Sequence, residues 1–421
     1  MEPITQGLRF LRLAALAALM LAFPSSGWSG TTYTILHSFG SGRDGYGPSG
    51  PLVLGRHGAL YGVTATGGTG TSCDYGCGTV FKLVPGANTT WMEVIIHSFA
   101  AGNEGAFPWG AASLDESGNV YGTLRGDVGF ATDGIFELAH LPGVWAYSVL
   151  YAGWAGPGLL MDDHVNLYGA MGPGDYQGAG AIGEISSVSG DWVYTQLYGF
   201  CNQYSCPDGS VPPAPPIWDG KGNMFGATTW GGVYKGCWMW TEGCGTVYEM
   251  TPNGDGTWTY HVLHRFLENN PKDGQQPYSG LVMDKSGSFY GATWVGGAYD
   301  HGTVFKLAYT GGKWKESILY DFPNCALGCM VQGALARDKA GNLYGTAAGG
   351  TGNCGYACGV VFKLSPKAGG KWRYSVVFDL TPETGGVQPY YGVILDDKGN
   401  LFGVASRGGK YGGGTAFEIT P

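Results

Sequence analysis

Gly341-Asn342-Leu343-Tyr344-Gly345 is followed, after a Gly-rich loop, by Gly359-Val360-Val361-Phe362-Lys363-Leu364. The first piece reads as a turn running into a strand. The second alternates apolar and polar positions in the period-2 pattern of a half-buried strand. The motif recurs along the whole chain. Its aromatic-Gly pair begins at Tyr61, Tyr121, Tyr168, Phe225, Tyr290, Tyr344 and Phe402, each 47 to 65 residues after the last. Self-similarity on this scale decides the architecture before any local signal does.

Each copy resolves into four strands. A short apolar strand comes first, as in Leu281-Val282-Met283 or Val393-Ile394-Leu395. An acidic turn follows, at Asp115, Asp162, Asp284, Asp338 and Asp396, and Asp, Asn and Gly suit such turns. The Tyr-Gly strand is second and the Val-Phe-Lys-Leu strand third. The fourth opens with Trp, from Trp91, Trp145, Trp192, Trp258, Trp314 and Trp372. A seventh copy of that fourth strand is missing at the C-terminus, and Tyr33-Thr34-Ile35-Leu36-His37-Ser38-Phe39 supplies one at the N-terminus. The pattern predicts an all-β, seven-bladed β-propeller of four-stranded antiparallel blades, its ring closed by the N-terminal strand. A linear β-solenoid would not explain why the missing strand reappears at the other end.

Composition agrees. The 421 residues include 78 Gly, 26 Tyr and 14 Trp, which favours short strands and turns over helices. The net charge of −9 is dispersed and Lys/Arg clusters are absent, which argues against a nucleic-acid partner. Residues 1–30 read as a secretory signal: Arg9 and Arg12, then the apolar run Leu13 to Phe23, then small residues. An uncleaved anchor is the alternative. Residues 31–421 form the single propeller domain, with no second apolar run to span a membrane. Secreted or periplasmic localisation and a monomer are expected.

The ten cysteines fall into five close pairs: Cys73/Cys77, Cys201/Cys206, Cys237/Cys244, Cys325/Cys329 and Cys354/Cys358. In an exported chain these read as local disulfides, with zinc knuckles as the rival. All five lie in the long second-to-third-strand loops or the blade-to-blade links. The acidic turns and Pro/Gly hairpins occupy the opposite face. Variable loops on a rigid scaffold are where function tends to sit.

Tyr-Gly-Thr/Ala, then Gly-Gly, then Gly-Thr-Val-Phe-Lys-Leu resembles the GloVer tandem repeat of bacterial exported "choice-of-anchor" proteins. The copies at Gly226 to Glu249 and Gly291 to Leu307 show it well. Those at Gly134 to Leu138 and Ala181 to Ile185 are degenerate. The resemblance implies an exported propeller-like protein and carries over no catalytic residue. The chain departs from the family's name in ending at Pro421 without an anchor or sorting tail.

No catalytic constellation stands out. His37, His97 and His264 share one repeat position, two residues before the strand's closing Phe, which marks them as structural. Asp44, Glu104, Asp208 and Asp273 precede Gly in the links. Gathered near a channel mouth they could hold Ca²⁺, but capping their own loops is the simpler role. No cofactor is expected. Aromatics crowd the fourth and fifth copies: Trp230, Trp238, Trp240, Trp294, Tyr278 and Tyr299, with Glu242, Asp300 and Thr293 nearby. Stacking platforms with a few polar groups suit a glycan or surface polymer, so a binding module is the expected function. The alternatives are a protein-interaction scaffold of the envelope and a glycan hydrolase or lyase using two loop carboxylates.

Overall fold

The computed structural model describes residues 30–87, 90–126, 132–172, 178–233, 237, 243–267, 272–350 and 357–421. Within them there is no α-helix, and the strands form seven four-stranded antiparallel blades in a ring. The sixth blade is typical: Ala336–Arg337, Leu343–Ala348, Gly359–Pro366 and Trp372–Leu380, paired in that order. The seventh is built from both ends of the chain. Val393–Leu395, Leu401–Ala405 and Thr415–Thr420 are completed by Thr32–Ser38, with Thr32 opposite Thr420 and Ser38 opposite Thr415. The first blade carries an extra strand from the link, Gly45–Pro48, on the end of Leu60–Gly67.

The repeat's invariable-looking residues have steric causes. Its Gly and its Phe are cross-strand partners: Gly62 faces Phe81, Gly291 faces Phe305 and Gly345 faces Phe362. The Phe ring lies over the Gly, and a Cβ on Gly345 would come within 2.6 Å of Phe362. The third blade breaks the motif on both sides, pairing Gly169 with Gly183. There Tyr194 of the outermost strand fills the vacated space, 2.4 Å from where a Cβ on Gly183 would sit. The repeat's Tyr has a polar cause as well. The hydroxyls of Tyr121, Tyr168, Tyr290 and Tyr344 each donate to the Asp of their own acidic turn. Asp338 shows the result: burial raises its pKa, but bonds from Asn342 and Tyr344 outweigh that and hold it below the usual carboxylate range.

The core lies in the seams between blades. Seven apolar clusters occur among the described residues, one per seam. The cluster between the seventh and first blades joins Leu36 and Phe39 to Phe81, Phe402 and Val404, so the N-terminal strand is part of the core rather than a clasp over it. Burying each such Phe contributes roughly 1.5–3 kcal/mol. Further out, ring stacks bridge the seams: Tyr33 on Phe378 at 4.2 Å, Tyr147 on His97 at 4.8 Å, Tyr260 on Tyr198 at 4.0 Å and Tyr374 on Tyr320 at 4.2 Å.

Four links cross their seams by one backbone device. Phe107, Val211, Gln276 and Gln388 have φ between 53° and 61°, a left-handed conformation rare for such residues. The N–H of each donates to the preceding blade, at Cys77, Ala179, Cys244 and Ala357, and the C=O accepts from its own blade, at Arg125, Thr229, Trp294 and Ser406. Two bonds to fixed blades hold one residue in a strained state. Proline follows in all four cases.

Candidate functional site: the axial mouth of the loop face

The links and the second-to-third-strand loops share one face. Gly68 N–H donates to Asp44 O, Gly232 N–H to Cys206 O, Gly297 N–H to Asp273 O and Gly350 N–H to Cys325 O. Four of the expected bridges are present on this face: Cys73–Cys77, Cys201–Cys206, Cys237–Cys244 and Cys325–Cys329. The fifth, Cys354–Cys358, involves Cys354, which lies outside the described residues.

The link acids do not gather at a channel mouth. Each sits in its own seam and caps its own loop. Asp44 accepts from His37 and Gly40 N–H, Asp208 from Tyr198 and Cys201 N–H, and Asp273 from His264, Leu267 N–H and Gly274 N–H. Glu104 accepts from Ala100 N–H and lies 2.7 Å from His97. The repeated histidines therefore hold links to outer strands, as their shared position predicted. Burial raises two other seam carboxyls, each further raised by a link Asp: Glu93 to about 9 beside Asp44, and Glu316 to about 8 beside Asp273.

Past its left-handed residue, each of these four links runs into the innermost strand of its blade. The inner strands crowd there, and a Cβ on Gly110 would lie 2.3 Å from Gly158 N. An aromatic follows the link proline three times: Pro108-Trp109, Pro277-Tyr278 and Pro389-Tyr390. Each is then carried at the axial end of its blade. Arg125 lies over the Trp109 ring at 5.5 Å. Its charge also acts on Tyr391 of the seventh blade, whose hydroxyl is pushed up by burial and by Tyr390 and eased back by Arg125. On the fifth blade, the half-buried Trp294 lies 5.6 Å from Tyr278, which is 38% exposed. Beneath this pair Gln276 is fully buried, with neither side-chain polar atom hydrogen-bonded among the described residues.

Trp294 and Tyr278 thus come together. Trp230 does not occupy the equivalent place. Trp294 N–H donates to Gln276 O as Thr229 N–H donates to Val211 O, so Thr229 is the counterpart of Trp294. Trp230 falls one residue later, half-buried, with its backbone bonded in both directions to Ser210. A one-residue offset turns a side chain to the other face of a strand. Thr293 cannot serve a ligand as expected: it is fully buried, and its hydroxyl is engaged by Thr303 and Val295 O. Asp300 caps its own turn by accepting from Gly296 N–H, and Tyr299 beside it is exposed. Trp238, Trp240 and Glu242 lie outside the described residues. Sequence reasoning missed Trp109, Arg125 and Tyr391. The proline-aromatic pair in the links was the available signal for Trp109, and no local signal marks Arg125 or Tyr391.

The model of the Gloeobacter/Verrucomicrobia repeat matches residues 25–240 and 212–421. No curated protein matches the chain in sequence. Among solved structures, an ancestral GH74 enzyme has a TM-score of 0.55 at 11% identity, covering 93% of this chain and 51% of its own. The polysaccharide lyase Uly1 has a TM-score of 0.50 at 10% identity, covering 92% of each chain. At these identities the likeness is one of fold. No helix among the described residues is long and apolar enough to cross a membrane.

Proposed function

The chain belongs to the Gloeobacter/Verrucomicrobia repeat family, and on that premise we propose that it is an exported binding module. It takes a glycan or surface polymer at the axial mouth of its loop-rich face. The observation that carries this is the Tyr278–Trp294 pair, two aromatics 5.6 Å apart and partly exposed on a rigid rim. Sugar rings present C–H faces that stack on such surfaces. Arg125, exposed beside Trp109, supplies a cation suited to uronate or other acidic groups. Apolar walls with few charged groups are the composition of a binding site. Export rests on the charged and apolar pattern of residues 1–30 and on the four local disulfides. The neighbours named for GH74 and polysaccharide lyase activity show that such propellers serve carbohydrate chemistry elsewhere, and support the ligand class only in that sense.

A glycan array followed by titration tests the proposal. Trp294→Ala and Tyr278→Ala should each weaken a detected ligand by about 1–3 kcal/mol, with little change in melting temperature. Unchanged affinity in both variants removes the site from the mouth. Reducing-sugar release from the same polysaccharide would instead make the chain an enzyme. Binding to proteins but to no glycan would make it a scaffold.

A further inference from the structure

Two residues after its leading Trp, or in the matching register, the outermost strand carries Tyr in five blades: Tyr33, Tyr147, Tyr194, Tyr260 and Tyr374. In the other two it carries Glu93 and Glu316. The usual Tyr packs on a ring from the preceding blade, as Tyr147 does on His97. Glu93 instead meets His37 and Asp44, placing a carboxylate where the fold normally places a phenol.

We propose that His37, Asp44 and Glu93 form a binding site for a divalent cation of the zinc class, pinning the ring-closing strand to the first blade. The three residues come from three segments: the N-terminal strand, the link after it, and the outermost strand Trp91–Ser98. His37 Nε2 lies 2.9 Å from Asp44 Oδ2 and 3.5 Å from Glu93 Oε2. Ligands at about 2.0–2.1 Å in a tetrahedral shell stand about 3.3 Å apart, so both distances from His37 are close to those of such a shell. Among the described residues it alone brings three such ligand atoms within 4.8 Å of one another.

A second observation points the same way. The Asp44 side chain is 6% exposed, yet among the described residues neither its Oδ1 nor Glu93 Oε1 accepts from an N–H or hydroxyl donor, and the two carboxyls lie against each other. Two buried carboxyls in contact are costly as a pair of anions, and either a shared proton or a bound cation relieves that cost. In the fourth-to-fifth seam Glu316 Oε1 is likewise without a partner among the described residues, but the Asp differs. Asp273 fills both oxygens with donors, from Gly274 N–H on one and from His264 and Leu267 N–H on the other. One imidazole and two carboxylates suit zinc or manganese, whereas calcium takes six to eight oxygens and these carboxylates offer at most four.

The repeat itself supplies the test variant. Glu93→Tyr restores the residue of five other blades, and its ring has the His97–Tyr147 stack as precedent. The full chain is stripped with a chelator and titrated with Zn²⁺ and, separately, Mn²⁺ by calorimetry, and melted with and without each ion. Wild type should show one site and melt higher with the ion, since only the folded chain binds it. Glu93→Tyr should lose more than about a hundredfold in affinity, beyond the loss typical of an outer-shell partner, and lose the ion's effect on melting. Glu316→Tyr should keep both. Should Glu93→Tyr misfold, His37→Tyr serves instead, because Tyr151, Tyr198 and Tyr320 hold that position in other blades. Wild type without a site means that a proton alone bridges the carboxyls, and overturns the proposal. A site surviving in Glu93→Tyr or His37→Tyr overturns it too.

Discussion

Gly226 stands directly opposite Tyr248, and a Cβ on the glycine would lie 2.3 Å from the tyrosine hydroxyl. The same exclusion operates in six of the seven blades, with Phe in place of Tyr in the other five.

It follows that Gly345→Ala should destabilise the fold by about 1–3 kcal/mol, the usual cost of overpacking. Gly169→Ala should be far milder, because a Cβ there meets nothing closer than 3.3 Å. Denaturant midpoints of the two variants decide it; equal losses would mean that the Gly–Phe pair is not the constraint.

Removing Thr32–Ser38 should leave Thr415–Thr420 as an open edge and take Leu36 out of the seam core. The expected outcome is aggregation or a large drop in melting temperature, read by light scattering and thermal unfolding. A monomeric deletion variant of unchanged stability would contradict the closure described here.

Stability should carry a pH slope from Glu316. In the folded chain it keeps its proton to about 8, chiefly because it is buried and next because Asp273 lies against it. An unfolded Glu releases its proton near ~4.3. Between those values the folded state binds more protons, so stability declines as pH rises. Unfolding at pH 5 and pH 8 should show Glu316→Gln losing less than wild type. Parallel losses would show that the carboxyl ionises normally.

Val211 is β-branched and held at φ 54°. The first blade uses Gly47 at the matching place, its N–H bonded to Gly413 O of the preceding blade. Val211→Gly should therefore be neutral or stabilising by up to about 1 kcal/mol, against the usual penalty for adding glycine. A clear loss of stability would mean that the Val side chain, half-buried in the link, outweighs the backbone strain.

The ring was legible in the sequence because its signals are local and repeated. Tyr344-Gly345 and Phe362 state the strand pair, and the stray Tyr33 to Phe39 states the closure. The mouth was only half legible. Trp294 and Tyr278 stand out by composition, but the one-residue offset of Trp230 depends on link hydrogen bonds that no local pattern encodes. The electrostatic effect of Arg125 on Tyr391 joins residues far apart in sequence, and no local pattern encodes it. The seam trio was hidden differently. His37 and Asp44 were noticed for recurring, whereas Glu93 matters because it fails to recur as Tyr.

The pairing of Thr32 with Thr420 also sets how the ring bears load. The segment entering the first strand and the residue leaving the last depart side by side from one end of a single antiparallel ladder. Tension between these two points does not shear that ladder. It peels the rungs in succession, Thr32 from Thr420, then Tyr33 from Ile419, then Thr34 from Glu418. Tethered at one of these points alone, the propeller carries no force across this closing ladder; pulled from both, it opens there first.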